Sequence, residues 1–293
     1  MRLLVTGSDG QVGTELKKQS INYDFEIFHT NKKKMDITDY ESVENNFSKY
    51  QPDLVINLAA YTNVEKAEDD KQAAYQINVE GTKNLALACK NNLIPILHIS
   101  TDYVFNGKKD GSYNEEDETD PINYYGETKL KGEERIKELL PQHIIIRTSW
   151  LFSYHIGHNF IKQILNQANT NKKIQVVNDI FGCPTSVRSL TDCIFRICGR
   201  YNSSGNLHFG TYHFVNSPSA SWHVFAKHIV DKAYENKIID QPVVVHPVPS
   251  SHYKTRAVRP VNSIMSAKKI TSCYQIPNIN WCTELTDIMR EIA

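Results

Sequence analysis

The chain has 293 residues with 33 basic and 33 acidic side chains, so its formal charge is zero. That balance leaves no electrostatic footprint for nucleic acid or an anionic membrane surface, and no apolar run approaches the ~20 residues that span a bilayer. Six cysteines without a CxxC spacing read as reduced thiols of a cytoplasmic protein rather than a disulfide or zinc framework.

The opening residues lack the apolar length and cleavage site of a secretory leader. Instead "RLLVTG" is a short apolar run closed by glycine, suited to a buried parallel strand. Gly7, Gly10 and Gly13 follow at three-residue spacing and open the helical stretch "QVGTELKKQ". In that context a glycine triplet points to a dinucleotide. One glycine makes the turn, one lets the backbone approach a diphosphate, and one lets the helix pack on the strand. The N–H groups of Gln11 and Val12, at the helix start, are placed to meet phosphate.

"FEIFHT" reads as the second strand. No acidic residue closes it, which favours NADPH and leaves NADH open. Lys32, Lys33 and Lys34 either attract a 2′-phosphate or solvate a loop. Asp36 and Ile37 are placed to frame the adenine. "YESVENNFSKY" reads as a helix, "PDLVINLAA" as a strand, and "DKQAAYQINVEGTKNLALACKNN" as a helix. "IPILHIST" is a strand, "YYGETKLKGEERIKELL" an amphipathic helix, and "HIIIRTSWLF" a further strand. This alternation predicts an α/β, doubly wound parallel sheet (Rossmann-like), with ligands beyond the carboxyl ends of its strands.

Farther on, "HNFIKQILNQAN" reads as a helix, "KIQVVND" as a strand, and "SVRSLTDCIFRICGRY" as a helix returning to the main body. "YHFVN", "WHVFAKHIVDKAYEN" and "PVVVHPV" suggest a smaller α+β unit, with loops from Pro247 to Pro260. The expected division is residues 1–150 plus about 186–215 for the dinucleotide and 151–185 plus about 216–293 for a substrate.

Tyr125 and Lys129, in "YYGETK", lie at i and i+4 on one helix face. A lysine cation beside a phenol lowers its pKa from ~10. That makes an acid for the alkoxide formed when a ketone accepts a hydride. The ammonium can also bond cofactor ribose hydroxyls. Thr101, closing the preceding strand, offers a hydroxyl to the same oxygen. A bare YxxxK has little specificity in a chain with 15 tyrosines, so its weight comes from its place after a sheet strand.

The glycine triplet, "NLAAYT", "INVEGTKNLA", "STDYVF" and "YGETKLKGE" together resemble the extended short-chain dehydrogenase/reductases. "MDITD", "AAYTNVEKAE", "RTSW", "GCPT" and "RPVNS", in that order, resemble the dTDP-4-dehydrorhamnose reductase branch over nearly the whole chain. The resemblance implies reduction of the C4 ketone of a dTDP-linked sugar by NAD(P)H, for dTDP-rhamnose and polysaccharide synthesis. It implies catalytic Thr101, Tyr125 and Lys129, a dinucleotide lined also by Ala59, Ala60, Thr62 and Asn78, and a sugar faced by Asp102, Tyr103 and Trp150. Arg256 and Arg259 read either as planar forks for the substrate diphosphate or as a solvated pair; "GCPT" reads as cleft wall.

Some members of that branch hold magnesium with glutamates at a dimer interface. Glu15 and Glu291 are placed for this, but "SVRSLTDC" has no glutamate and carries Arg188. No metal ligand is assigned, and magnesium and a homodimer stay open. The alternatives are a reductase of another nucleotide-linked 4-keto-6-deoxy sugar and a non-catalytic dinucleotide-binding regulatory subunit. The intact Tyr–Lys–Thr set argues against the second.

Overall fold

The computed structural model describes residues 1–154, 157 and 159–293. The first half alternates β1 (Arg2–Thr6), α1 (Gln11–Gln19), β2 (Glu26–His29), α2 (Tyr40–Tyr50), β3 (Leu54–Asn57), α3 (Val64–Ala67), α4 (Lys71–Tyr75), α5 (Thr82–Asn91), β4 (Ile96–Thr101), α6 (Tyr124–Leu139) and β5 (His143–Thr148). The second half holds β6 (Leu151–Phe152), α7 (Phe160–Thr170), β7 (Lys173–Val177), β8 (Phe181–Gly182), β9 (Thr185–Ser186), α8 (Val187–Ser204) and β10 (Gly210–His213). It ends with β11 (Ala220–Ser221), α9 (Trp222–Glu235), β12 (Val244–Val248), α10 (Lys268–Tyr274) and α11 (Trp281–Ile292).

Six strands form one parallel sheet in the order β10-β5-β4-β3-β1-β2. The chain starts at β1, steps outward to β2, then crosses back to β3. The crevice beyond the carboxyl ends of β1 and β3 is therefore the topological switch point. Side-chain alternation along the strands divides the core in two. Leu3 and Val5 face the layer of α1 and α8, and Leu4 faces that of α2, α5 and α6.

Four sequence expectations need correction. "YHFVN" does not belong to the smaller unit, because Gly210–His213 is the edge strand of the main sheet, beside β5. The strand read through "HIIIRTSWLF" breaks after Thr148. Trp150 takes a left-handed backbone (φ 44°), and β6 pairs with β9 instead. The long helix before Asn92 is interrupted at Gln76–Gly81 by a π-turn, which carries Asn78 into the interior. The helix read from His158 begins at Phe160, capped by Asn159; His158 itself lies outside the described residues.

The smaller unit holds the two-stranded sheets β11-β8, β12-β7 and β6-β9, and α7, α9 and α11 close on a core around Phe225 and Trp281. Among the described residues, no helix is long and apolar enough to cross a membrane.

Candidate active site

β1 runs into Gly7 at φ 63°, where a Cβ would stand 2.6 Å from Ala59 N. The turn after β1 is thus pressed onto the backbone after β3, and only glycine fits. No side chain caps the first N–H groups of α1, whereas Asp39 and Asn123 cap α2 and α6. A Cβ on Gly10 would meet nothing nearer than Gly7 O at 3.4 Å, so the helix start is open. This arrangement fits a dinucleotide diphosphate. Gly7, Gly10, Gly13 and the N–H groups of Gln11 and Val12 would hold it, with Ala59 and Ala60 alongside. The Gln11 carboxamide oxygen accepts from Ser153 Oγ at 3.0 Å and Asn159 Nδ2 at 3.1 Å. Sequence reading missed both partners, which lie far along the chain.

At the adenosine end, Asp36 Oδ1 accepts from Thr38 N and Thr38 Oγ1 at 3.0 and 2.7 Å, and Lys32 approaches Asp36 at 3.9 Å. Ile37, the other residue read at the adenine, has its side chain buried against Gly81. Lys33, Lys34 and Thr62 are exposed. Asn78 is buried and its carboxamide is engaged within the protein. It accepts from Tyr61 N at 2.8 Å and donates to Tyr61 O and Thr128 Oγ1 at 3.2 and 3.0 Å, tying the loop after β3 to α6.

A Cβ on Gly126 would lie 2.1 Å from Tyr103 O, so α6 sits directly on the turn after β4. That contact sets Tyr125 near Thr101, whose hydroxyl opposes the rise that burial imposes on the phenol's pKa. Thr101 Oγ1 donates to Asp102 Oδ1 at 3.1 Å and accepts from Tyr103 N at 3.2 Å. The Tyr103 ring stands edge-on to Tyr125, centroids 5.9 Å apart. Burial pushes Asp102 up to about 6, against the nearby Ser263 and Thr101 hydroxyls.

Lys129 does not do what the spacing suggested. Its Nζ donates to Ile99 O at 2.7 Å and meets His98 Nε2 at 3.1 Å. Burial lowers it to about 8, with Glu133 working the other way. Burial pushes the Tyr125 phenol above its ordinary value, opposed by the Thr101 hydroxyl. The phenol is therefore neutral and proton-bearing. Behind it runs a hydrogen-bonded line from Thr6 through Asn57 (2.7 Å) and His98 (2.9 Å) to Lys129, unread in the sequence.

Toward the smaller unit, the Trp150 indole stacks on Trp222 at 3.5 Å, and the backbone of Gly182, in "GCPT", lies against it. The two arginines, read either as forks for a diphosphate or as a solvated pair, are both paired with carboxylates. Arg259 meets Glu65 Oε1 at 2.6 Å, and Arg256 meets Asp69. Glu65 Oε2 also accepts from Arg256 N at 2.8 Å, and Asn123 Nδ2 donates to Val258 O at 2.9 Å. Residues 256–259 are thus strapped across the cleft to α3 and the start of α6.

The residues do not fit magnesium. Arg188 Nη2 meets Glu291 Oε1 at 2.5 Å, and Glu284 and Glu15 act on the same guanidinium. A fixed cation stands where a divalent ion needs converging oxygens. Among the described residues, no group of three His, Cys, Asp or Glu side chains is arranged to hold a metal.

The family model for the RmlD substrate binding domain matches residues 1–293. A dTDP-4-dehydrorhamnose reductase of Sinorhizobium fredii is 38% identical over 282 residues, 96% of this chain and 94% of the relative. The crystal structure of a dTDP-4-dehydrorhamnose reductase from Clostridium acetobutylicum matches with a TM-score of 0.91 at 34% identity, covering 100% of this chain and 99% of that one. A dTDP-4-dehydrorhamnose reductase from Bacillus anthracis, solved in complex with NADP, gives 0.90 at 34% identity over 99% of each chain.

Proposed function

Because the chain belongs to the RmlD family, with dTDP-4-dehydrorhamnose reductases of Sinorhizobium fredii and Clostridium acetobutylicum among its full-length relatives, we infer that Tyr125, Thr101 and Lys129 carry that reaction here. The protein is an NADPH-dependent oxidoreductase that reduces the C4 ketone of dTDP-4-dehydrorhamnose to give dTDP-rhamnose. The seating of α6 on the turn after β4, which brings Tyr125 to the carboxyl end of the strand that Thr101 closes, carries the assignment of roles.

NADPH, when bound, supplies the hydride. The ketone oxygen then needs a proton, and Tyr125, kept as a neutral phenol by burial, bears one. Thr101 is the second hydroxyl beside that oxygen: the Tyr103 N–H keeps its Oγ1 in place, and its one hydrogen, given to Asp102 in the dinucleotide-free protein, must turn to the ketone oxygen to polarise it. Lys129 is the group for the nicotinamide ribose. Residues 1–150 with about 186–215 hold the dinucleotide and the remainder the nucleotide sugar, a division supported by α8 packing on α1 and β10 pairing with β5. Free thiols support a cytoplasmic location.

The test is turnover of dTDP-4-dehydrorhamnose, followed as loss of reduced-nicotinamide absorbance. Tyr125→Phe lowers kcat by about 10²–10⁴-fold and leaves NADPH binding intact. Undiminished turnover in that variant removes Tyr125 from its role.

A further inference from the structure

The hydrogen-bond directions around Lys129 can be read outward from the glycine turn. Asn57 Oδ1 accepts from the Thr6 hydroxyl at 2.7 Å and from the Ala59 N–H at 3.2 Å. Turning the carboxamide round would set Nδ2 against that N–H, so its orientation is fixed. Nδ2 therefore donates to His98 Nδ1 at 2.9 Å, a pair that the β3–β4 register places side by side.

Burial, the larger influence, holds His98 well below its ordinary range, and any charge on Lys129 acts the same way, so the ring is neutral. A neutral imidazole that accepts at Nδ1 carries its hydrogen on Nε2. That hydrogen faces Lys129 Nζ, 3.1 Å away. An ammonium has no lone pair to receive it. An amine has one, and still donates to Ile99 O at 2.7 Å.

We propose that His98 is a positioning residue that holds Lys129 as an uncharged amine in the dinucleotide-free protein at mildly alkaline pH, so that NADPH binding there takes up one proton. This rests on reading Lys129 as the ribose-binding lysine. On binding, the amine gains a solvent proton at Nζ and becomes an ammonium with three donors. It can no longer receive the His98 hydrogen and turns toward hydroxyl acceptors.

The surrounding charges leave room for this. Glu133, one turn along α6, favours the cation. It is already held by Arg147 of β5 at 3.0 and 2.7 Å, by Ser100 of β4 at 2.6 Å and by Lys137 at 3.4 Å. Asp102, after β4, accepts from Thr101. Burial, the larger influence on Lys129, opposes the charge.

Calorimetric titration of NADPH into the native protein near pH ~8.5, in two buffers of different ionisation enthalpy, reads the proton directly. That pH lies above the ordinary ranges of histidine and of the 2′-phosphate. With Lys129 near 8 when free and at its ordinary value when bound, uptake is about three quarters of a proton per NADPH. Lys129→Met abolishes the uptake. His98→Gln, whose carbonyl oxygen gives an ammonium an acceptor, cuts it below about a quarter of a proton while NADPH still binds.

No uptake by the native protein overturns the proposal. So does persistent uptake in Lys129→Met, or equal uptake in His98→Gln. Failure of NADPH to bind at all overturns the functional reading as well. A readout on the native protein needs no variant to fold: the ring-carbon NMR shifts of His98 report a hydrogen on Nε2, and a hydrogen on Nδ1 sinks the idea.

Discussion

Asp102 sits next to the Thr101 hydroxyl with one oxygen, Oδ2, that makes no hydrogen bond of good geometry. Burial raises it to about 6 in the folded protein, against ~3.9 in an unfolded chain. The folded state therefore binds more protons between those values. Its contribution to stability is whole below the unfolded pKa and is lost as pH rises through the folded one. The loss is on the order of 3 kcal/mol. Urea unfolding at a series of pH values should show the native protein losing stability relative to Asp102→Asn between about pH 4 and about pH 6. Parallel curves would show that Asp102 is not held in this way.

At the scale of elements, α6 is a platform whose height is set by a missing side chain. Gly126→Ala would drive a methyl into the Tyr103 carbonyl, 2.1 Å from the ideal Cβ position. The helix must lift, at about 1–3 kcal/mol, and Tyr125 rises away from Thr101. A lowered Tm together with a loss of kcat is expected, and an unaltered kcat would mean that the platform does not set the catalytic distance. This helix also shows what a sequence can and cannot tell. "YYGETK" is local, so its helix, its face and its neighbour strand could be read from period and spacing. The partners of Lys129 could not. His98 and Asn57 meet because β3 and β4 pair in one particular register, and that register is a property of the whole sheet. The same holds for the Trp150–Trp222 stack and for Ser153 and Asn159 at Gln11, where residues distant in sequence converge. The loop position of Ile37 was visible in the sequence, while the packing of its side chain against Gly81 was not.

Across the whole molecule, the strap of residues 256–259 joins the smaller unit to the dinucleotide side through Glu65. A substrate diphosphate would compete with that carboxylate for the Arg259 guanidinium. Losing a charge-assisted hydrogen bond of about 1.5–3 kcal/mol corresponds to a roughly 10–100-fold rise in KM. Steady-state kinetics of Arg259→Ala should show that rise for the nucleotide sugar with NADPH affinity unchanged. An unmoved KM would leave Arg259 as a clamp alone. The order of the main sheet has a consequence for how the chain is made. β10 completes it beside β5, yet its last residue is His213. Until that residue leaves the ribosome, β5 presents a bare rim of N–H and C=O groups, an invitation to stick to neighbouring chains. A nascent chain halted near residue 150 has every motif of the cofactor loop and still lacks the strand that shields it.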